Sequence, residues 1–292
     1  MKEEIYIIKN QESFELKDIF ECGQCFRWEK NEDGSYTGVI KAGVLNVKKD
    51  IEKRQIIIRG KIFNNEDIED VVNNYFDLNT NYNNIKQILS QVDSYLQESV
   101  QFGSGIRILN QDFWETIISF IISANNNIPR IKKIINNLSK KYGNKIEWND
   151  NFYYTFPSVV SLSQATIEDL RQLGLGFRDK RVYKTTQMIL NKEFDLEKIS
   201  KIKDTNIIRD ELLKLEGVGE KVADCILLFS LHRFDVFPVD VWVRRVMNDL
   251  YIHNKNEEKV KKEDIKKIAK EKFKNYQAMA QQYLFYWKRE NS

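Results

Sequence analysis

Between Glu4 and Gly60 apolar and polar residues alternate in five short runs, EIYIIKN, CFRWEK, SYTGVIK, VLNVKK and RQIIIRG, broken by turn signals at Asp33-Gly34 and Ala42-Gly43. Successive side chains of an extended chain point to opposite faces, so these runs predict the strands of an antiparallel sheet. From Asn65 the spacing lengthens to that of a helix, in NEDIEDVVNNYF and then NNIKQILSQVDSYLQESV. After Gly103-Ser104-Gly105 helical spacing continues nearly to the end. DFWETIISFIIS opens on Asp112, a side chain suited to cap a helix, and PRIKKIINNLSKKYG closes on a glycine. The pattern predicts an α+β protein: an N-terminal antiparallel β-sheet domain with helices over 1–105, then a mostly α-helical domain over 106–292.

The densest local signal is LKLEGVGEKVADCI, starting at Leu213. Ile208, Leu212 and Leu215 share one helical face before it, and Val222, Cys225, Ile226 and Phe229 share one after it. Only Gly217-Val218-Gly219 separates the two helices, a helix–hairpin–helix at about 205–230. The second helix therefore starts at a glycine-rich turn whose N–H groups lack intrahelical partners, a setting that can hold a phosphate. A plain tight turn has the same composition, so the glycines alone decide little. Lys221 follows in the first helical turn, where the helix dipole disfavours a cation and is expected to push the amine's pKa down, as a nucleophile requires. Phe237-Pro238-Val239-Asp240-Val241-Trp242 opens a further helix, with Asp240 placed as its N-cap inside an otherwise apolar run.

Composition narrows the classes. With 292 residues, 42% of them hydrophobic, the chain can bury a sizeable core. No apolar run approaches the roughly 20 residues of a membrane span, and MKEEIYIIKN lacks the basic and apolar parts of a signal peptide. A cytoplasmic setting is expected, nucleoid-associated in a bacterium, with no membrane partner. The net charge of +3 is unevenly spread: residues 1–105 carry 13 basic and 18 acidic side chains, and residues 106–292 carry 33 and 25. The basic half points to a polyanion, although lysine-rich helices such as 257–274 are ordinarily just solvated faces.

Cys22 and Cys25, in ECGQCFRW, form a C-x-x-C pair. Only Cys225, His232 and His253 remain as further ligands, and none makes the second close pair of a zinc site. The flanking strand and turn signals also place no helix N-terminus beside the thiols, so the redox reading loses its support.

The order of GVG, Lys221 and Pro238-Val239-Asp240 resembles the helix–hairpin–helix glycosylases that carry a Gly/Pro-rich loop and an aspartate, the HhH-GPD superfamily. Within it, LxGVGxKVADC together with PVDV is similar to the 8-oxoguanine DNA glycosylases. GQCFRW from Gly23, SANNNIPRI from Ser123, LGLGFR from Leu173 and AQQYLF from Ala280 extend the resemblance over nearly the whole chain. The resemblance implies base flipping, excision of 8-oxoguanine from duplex DNA, and an AP-lyase step through a Schiff base on Lys221 with Asp240 stabilising charge at the sugar. It implies that the Gly217–Gly219 hairpin grips a phosphate, with room for a monovalent cation on nearby carbonyls, and that no cofactor is required.

By the same resemblance the Gly23 carbonyl accepts from N7–H of the lesion, where guanine carries a lone pair instead. Gln281 reads the Watson–Crick edge, and Phe285 and Cys225 sandwich the flipped purine. Asn125, Arg130 and Arg178 meet the orphaned cytosine, and Phe177 is the wedge. Phe285 has the alternative reading of helix core, and the arginines that of phosphate or surface charges. Some relatives place a histidine two residues after the aspartate and an acidic residue near the end of the last helix, where this chain has Trp242 and Lys288; Trp242 is left to cover the lesion or a phosphate. No iron–sulfur cysteine cluster is present in the sequence, and a monomer is expected. Two other classes compete: a glycosylase for alkylated purines, whose relatives generally lack the lysine, and a non-enzymatic module that only grips phosphates.

Overall fold

The computed structural model describes residues 3–9 and 12–291. Strands β1 (Glu4–Lys9), β2 (Trp28–Lys30), β3 (Tyr36–Ile40), β4 (Gly43–Asp50) and β5 (Gln55–Ile62) form one antiparallel sheet in the order β1-β5-β4-β3-β2. The register of β3 on β4 pairs Ile40 with Gly43 across the tight turn at Ala42. Period two does its expected work: Tyr36, Leu45, Val47, Ile56 and Ile58 face a small core closed by helix α1 (Leu16–Glu21) and helix α2 (Ile68–Tyr75). Asp67 caps α2, accepting from Glu69 N and Asp70 N. The run CFRWEK is strand only from Trp28, because the preceding residues form the loop that leaves α1.

The second helical run is two helices, α3 (Tyr82–Ser90) and α4 (Ser94–Phe102). Asp93 breaks it, since its side chain accepts from Leu96 N and starts a new cap. Beyond them come α5 (Phe113–Ser123) and α6 (Ile128–Tyr142), capped by Asp112 and Asn127. The expectation of helix nearly to the end needs one correction. Strands β6 (Lys145–Trp148) and β7 (Asn151–Tyr154) make a hairpin, turning at Asn149 and Asp150 with φ of 49° and 56°. Asn and Asp tolerate that left-handed conformation, so the turn forms without glycine. Ile146 and Trp148 then cover Val39 and Val44 on the outer face of the large sheet.

The remaining helices are α7 (Val159–Leu162), α8 (Ile167–Gln172), α9 (Asp179–Leu190), α10 (Leu196–Ser200), α11 (Thr205–Leu212), α12 (Glu220–Leu231), α13 (Val241–Met247), α14 (Lys262–Phe273) and α15 (Gln277–Glu290). Their core is continuous from Cys22 and Phe26 in the α1 loop, through α3 to α6, to α15. Helix α5 lies at its centre, with Trp114 through Ile122 buried except for Glu115 in its first turn. Its Phe120 ring stacks on Phe229 of α12 at 5.4 Å. Among the described residues no helix is long and apolar enough to cross a membrane.

Candidate active site

Helices α11 and α12 meet at a turn whose two glycines are used differently. Gly217 has φ +88°, and a Cβ there would lie 2.7 Å from Arg181 Cδ, so both conformation and space require glycine. Val218 is buried and anchors the turn to the core. Gly219 is the N-cap of α12 without a side-chain capping bond, and nothing lies within 4 Å of where its Cβ would stand. The N–H groups of the first turn of α12 are thus open to an incoming anion.

Lys221 stands one step into α12, its Nζ 5.6 Å from the centre of the Phe120 ring. Asp240 caps α13, accepting from Val243 N at 2.8 Å, and its charge is felt by both Lys221 and Cys225. The chemistry of Lys221 corrects the expected pKa. Burial pushes the ammonium down, but the Cys225 sulfur and the Asp240 carboxylate together push it further up, and the amine ends above the ordinary lysine value. Burial raises the Cys225 thiol to about 11, with Lys221 opposing that rise.

The loop after α1 is bolted in place carbonyl by carbonyl. Arg289 Nη2 donates to Glu21 O at 2.6 Å, Gln282 Nε2 to Cys22 O at 2.8 Å, and Gln111 Nε2 to Gln24 O at 2.8 Å. Gln24 itself is fully buried, donating to Ile19 O and Arg107 O and accepting from Leu109 N. Between them Gly23 has φ +91°, and among the described residues no hydrogen bond reaches its carbonyl. The Phe285 ring comes within 3.7 Å of where a Gly23 Cβ would be. Gln281 is buried one turn before Phe285 on α15, and Phe285 is half-buried against the core. Phe26 of the same loop meets Phe120, which places this wall beside the ring that Lys221 faces.

Cys22 and Cys25 are buried free thiols whose pKa burial raises, Cys22 to about 11. Each points at a backbone carbonyl of α1, Ile19 O and Phe20 O. Such thiols are poor nucleophiles and poor metal ligands. Among the described residues no group of three or more His, Cys, Asp or Glu is placed to hold a metal ion.

Asn125, Arg130, Phe177 and Arg178 come together on another edge. Asn125 is exposed with φ +51°, and Arg130 is exposed with Nη2 3.4 Å from Gly174 O. Phe177, on a 3-10 turn (Gly176–Arg178), is 55% exposed, a large ring held in solvent. Arg178 is placed otherwise: it is buried, and its guanidinium donates to Ala124 O, Asn125 O and Leu175 O while packing 4.2 Å from the Phe177 ring centre. In the free protein it holds Asn125 and Phe177 rather than facing outward. Trp242 is half-exposed beside Arg245, and Lys288 pairs with Asp249 at 3.5 Å, so α15 is tied to the short turn of helix after α13 (Asn248–Ile252) by a pair other than the histidine and carboxylate of some relatives.

Sequence reasoning missed Arg181, which packs under Gly217 and beside Phe177, and the bolts Gln24, Gln282 and Arg289. One signal was available for Arg289: it continues the Gln281, Phe285 spacing by one further turn on the same helix face.

Residues 6–117 match the family described as 8-oxoguanine DNA glycosylase, N-terminal domain, and residues 118–282 match the HhH-GPD superfamily of base excision DNA repair proteins. The N-glycosylase/DNA lyase of Saccharomyces cerevisiae is 32% identical over 276 residues, 86% of this chain and 72% of that protein. Among solved structures, the Clostridium acetobutylicum 8-oxoguanine glycosylase/lyase in complex with double-stranded DNA containing cytosine opposite the lesion is 44% identical. It has a TM-score of 0.92, covering all of this chain and 98% of that one. A 3-methyladenine DNA glycosylase from Archaeoglobus fulgidus, 22% identical with a TM-score of 0.80, shares the fold.

Proposed function

The chain belongs to the HhH-GPD superfamily of base excision DNA repair proteins, behind an 8-oxoguanine DNA glycosylase N-terminal domain, and on that premise we propose that it excises 8-oxoguanine from duplex DNA and cleaves the resulting site as a lyase. The observation that carries the reading is Lys221: a half-buried, partly desolvated amine at an uncapped helix terminus, with Asp240 as its charged neighbour. A phosphate on the N–H groups after Gly219 brings the sugar of the flipped nucleotide to that amine. Neutral Lys221 attacks C1′ as the C1′–N9 bond breaks and its electron pair leaves with the base. Asp240 offsets the positive charge that develops on the sugar. Loss of a proton from nitrogen and opening of the ring give an imine, with the proton going to O4′. Removal of a C2′ proton then expels the 3′ phosphate, and water releases the product from Lys221.

Recognition is the second part of the reading. The Gly23 carbonyl, which lies between the bolted carbonyls of Cys22 and Gln24, accepts N7–H of the lesion, and an undamaged guanine would set N7 against it, an unmet contact worth about 1–3 kcal/mol. Gln281 takes the Watson–Crick edge, and Phe285 and Cys225 take the two faces. Asn125 and Arg130 would meet the orphaned cytosine, with Phe177 as the wedge, and Trp242 would cover the lesion or a phosphate. No metal is called for in any step; a monovalent cation at the hairpin would serve only phosphate binding.

The test is borohydride trapping on a duplex with one 8-oxoguanine opposite cytosine. Wild type should form a covalent adduct, and Lys221→Gln should form none while still binding the duplex. An adduct that survives in Lys221→Gln would assign the nucleophile elsewhere, and equal trapping on an undamaged duplex would remove the lesion from the reading.

A further inference from the structure

One donor at the base-reading wall has nothing to donate to. Arg289 Nη1 is buried without a hydrogen-bond partner, while Nη2 is engaged with Glu21 O and Glu290. Nη1 lies 3.4 Å from where a Gly23 Cβ would stand, on the side where the Phe285 ring lies at 3.7 Å. The guanidinium carbon is 5.6 Å from the Phe285 ring centre and 5.4 Å from that of Tyr286, whose hydroxyl is directed to Asp18 instead. A buried charged N–H left empty is costly, and structures retain such groups where something else completes them.

We propose that Arg289 is a specificity-determining residue for the flipped base, donating from Nη1 to one of the two carbonyl oxygens, O6 or O8, that flank N7–H. The inference rests on the reading of Gly23 given above and deepens it. The Gly23 carbonyl and the empty Arg289 N–H supply an acceptor and a donor to the same wall, with Nη1 3.4 Å from where a Gly23 Cβ would stand. The damaged purine presents the complement in the same order, N7–H beside a C=O. Undamaged guanine presents two adjacent acceptors, O6 and N7, and satisfies only the arginine. Gln281, Phe285 and Arg289 thus form one stripe along α15, each a turn apart, with an edge reader, a face and a second edge reader.

The experiment is single-turnover base release by the full chain and by Arg289→Met on three duplexes, containing 8-oxoguanine, 8-oxoadenine or 8-thioguanine. 8-oxoadenine replaces O6 with an amino donor, and 8-thioguanine replaces O8 with a weaker acceptor. Arg289→Met should lose roughly tenfold or more on 8-oxoguanine, the worth of a charge-assisted hydrogen bond. A loss that vanishes on 8-oxoadenine assigns O6, and one that vanishes on 8-thioguanine assigns O8. An equal loss on all three overturns the proposal and leaves Arg289 as a prop for the loop. Gln282→Leu is the comparison for that outcome, because it removes a loop bolt without touching the empty donor and should lower all three substrates alike. If wild type releases no 8-oxoguanine, the functional reading falls and this inference with it; uniform losses with an active wild type overturn the inference alone.

Discussion

Lys221 is an amine required to react in the charge state that its neighbours oppose. Burial favours the neutral form, whereas Cys225 and Asp240 hold the proton on, and the balance lies above the ordinary lysine value. Only the neutral amine forms an imine, and its fraction grows as the pH approaches that raised value from below. Borohydride trapping on an abasic duplex should therefore keep climbing from about pH 7 into the alkaline range instead of levelling at neutrality. Cys225→Ala removes one of the two groups that raise the amine, so its climb should begin at lower pH. A superimposable profile would mean that the thiol has no hold on the proton. Burial of a purine against Cys225 and Phe285 adds desolvation without adding charge, which moves Lys221 in the direction that the reaction needs.

At the scale of elements, the hairpin between α11 and α12 separates two requirements that look identical in sequence. Gly217→Ala imposes a left-handed φ and a collision with Arg181, so it should cost about 1–2 kcal/mol of stability along with DNA affinity. Gly219→Ala has an extended backbone and open space, so it should melt with wild type yet bind duplex more weakly, its methyl standing where a phosphate approaches. Equal melting of the two variants, or unchanged binding by Gly219→Ala, would count against this division. The helix–hairpin–helix, the five-stranded sheet and the caps Asp112 and Asp240 were legible because each depends on local spacing or one capping bond. The β6–β7 hairpin was not, since its strands are four residues each and its turn uses Asn149-Asp150 without glycine. The split at Asp93 was hidden by apolar spacing that runs through it. Gln24 and Gln282 were hidden for a different reason: their partners lie far away in sequence, and no local period marks a polar side chain destined for burial.

Across the whole molecule, Arg27 joins the sheet side to the helical side. It donates to Ser139 of α6 and to the Tyr154 carbonyl of β7, and its charge acts on Glu115 in the first turn of α5. Burial pushes the Glu115 carboxyl up to about 7, against the opposing pull of Arg27 and with a small further push from Asp112. A carboxyl raised on folding favours the folded state at low pH, and that contribution is lost as pH rises through about 7. Glu115→Gln should therefore melt higher, relative to wild type, at about pH 8 than at about pH 5. A difference that does not change with pH would show that the carboxyl keeps its ordinary acidity there. The tie between α15 and the α1 loop spans 260 positions of sequence, from Gln282 to Cys22. Its consequence concerns the order of synthesis. Lys221 leaves the ribosome well before α15 does, but Ala278, Met279, Ala280, Tyr283 and Leu284 of α15 are core residues, so the core around the amine is incomplete until α15 arrives. The nascent chain cannot acquire a finished reactive centre ahead of the wall that inspects the base, and both mature in one closing step.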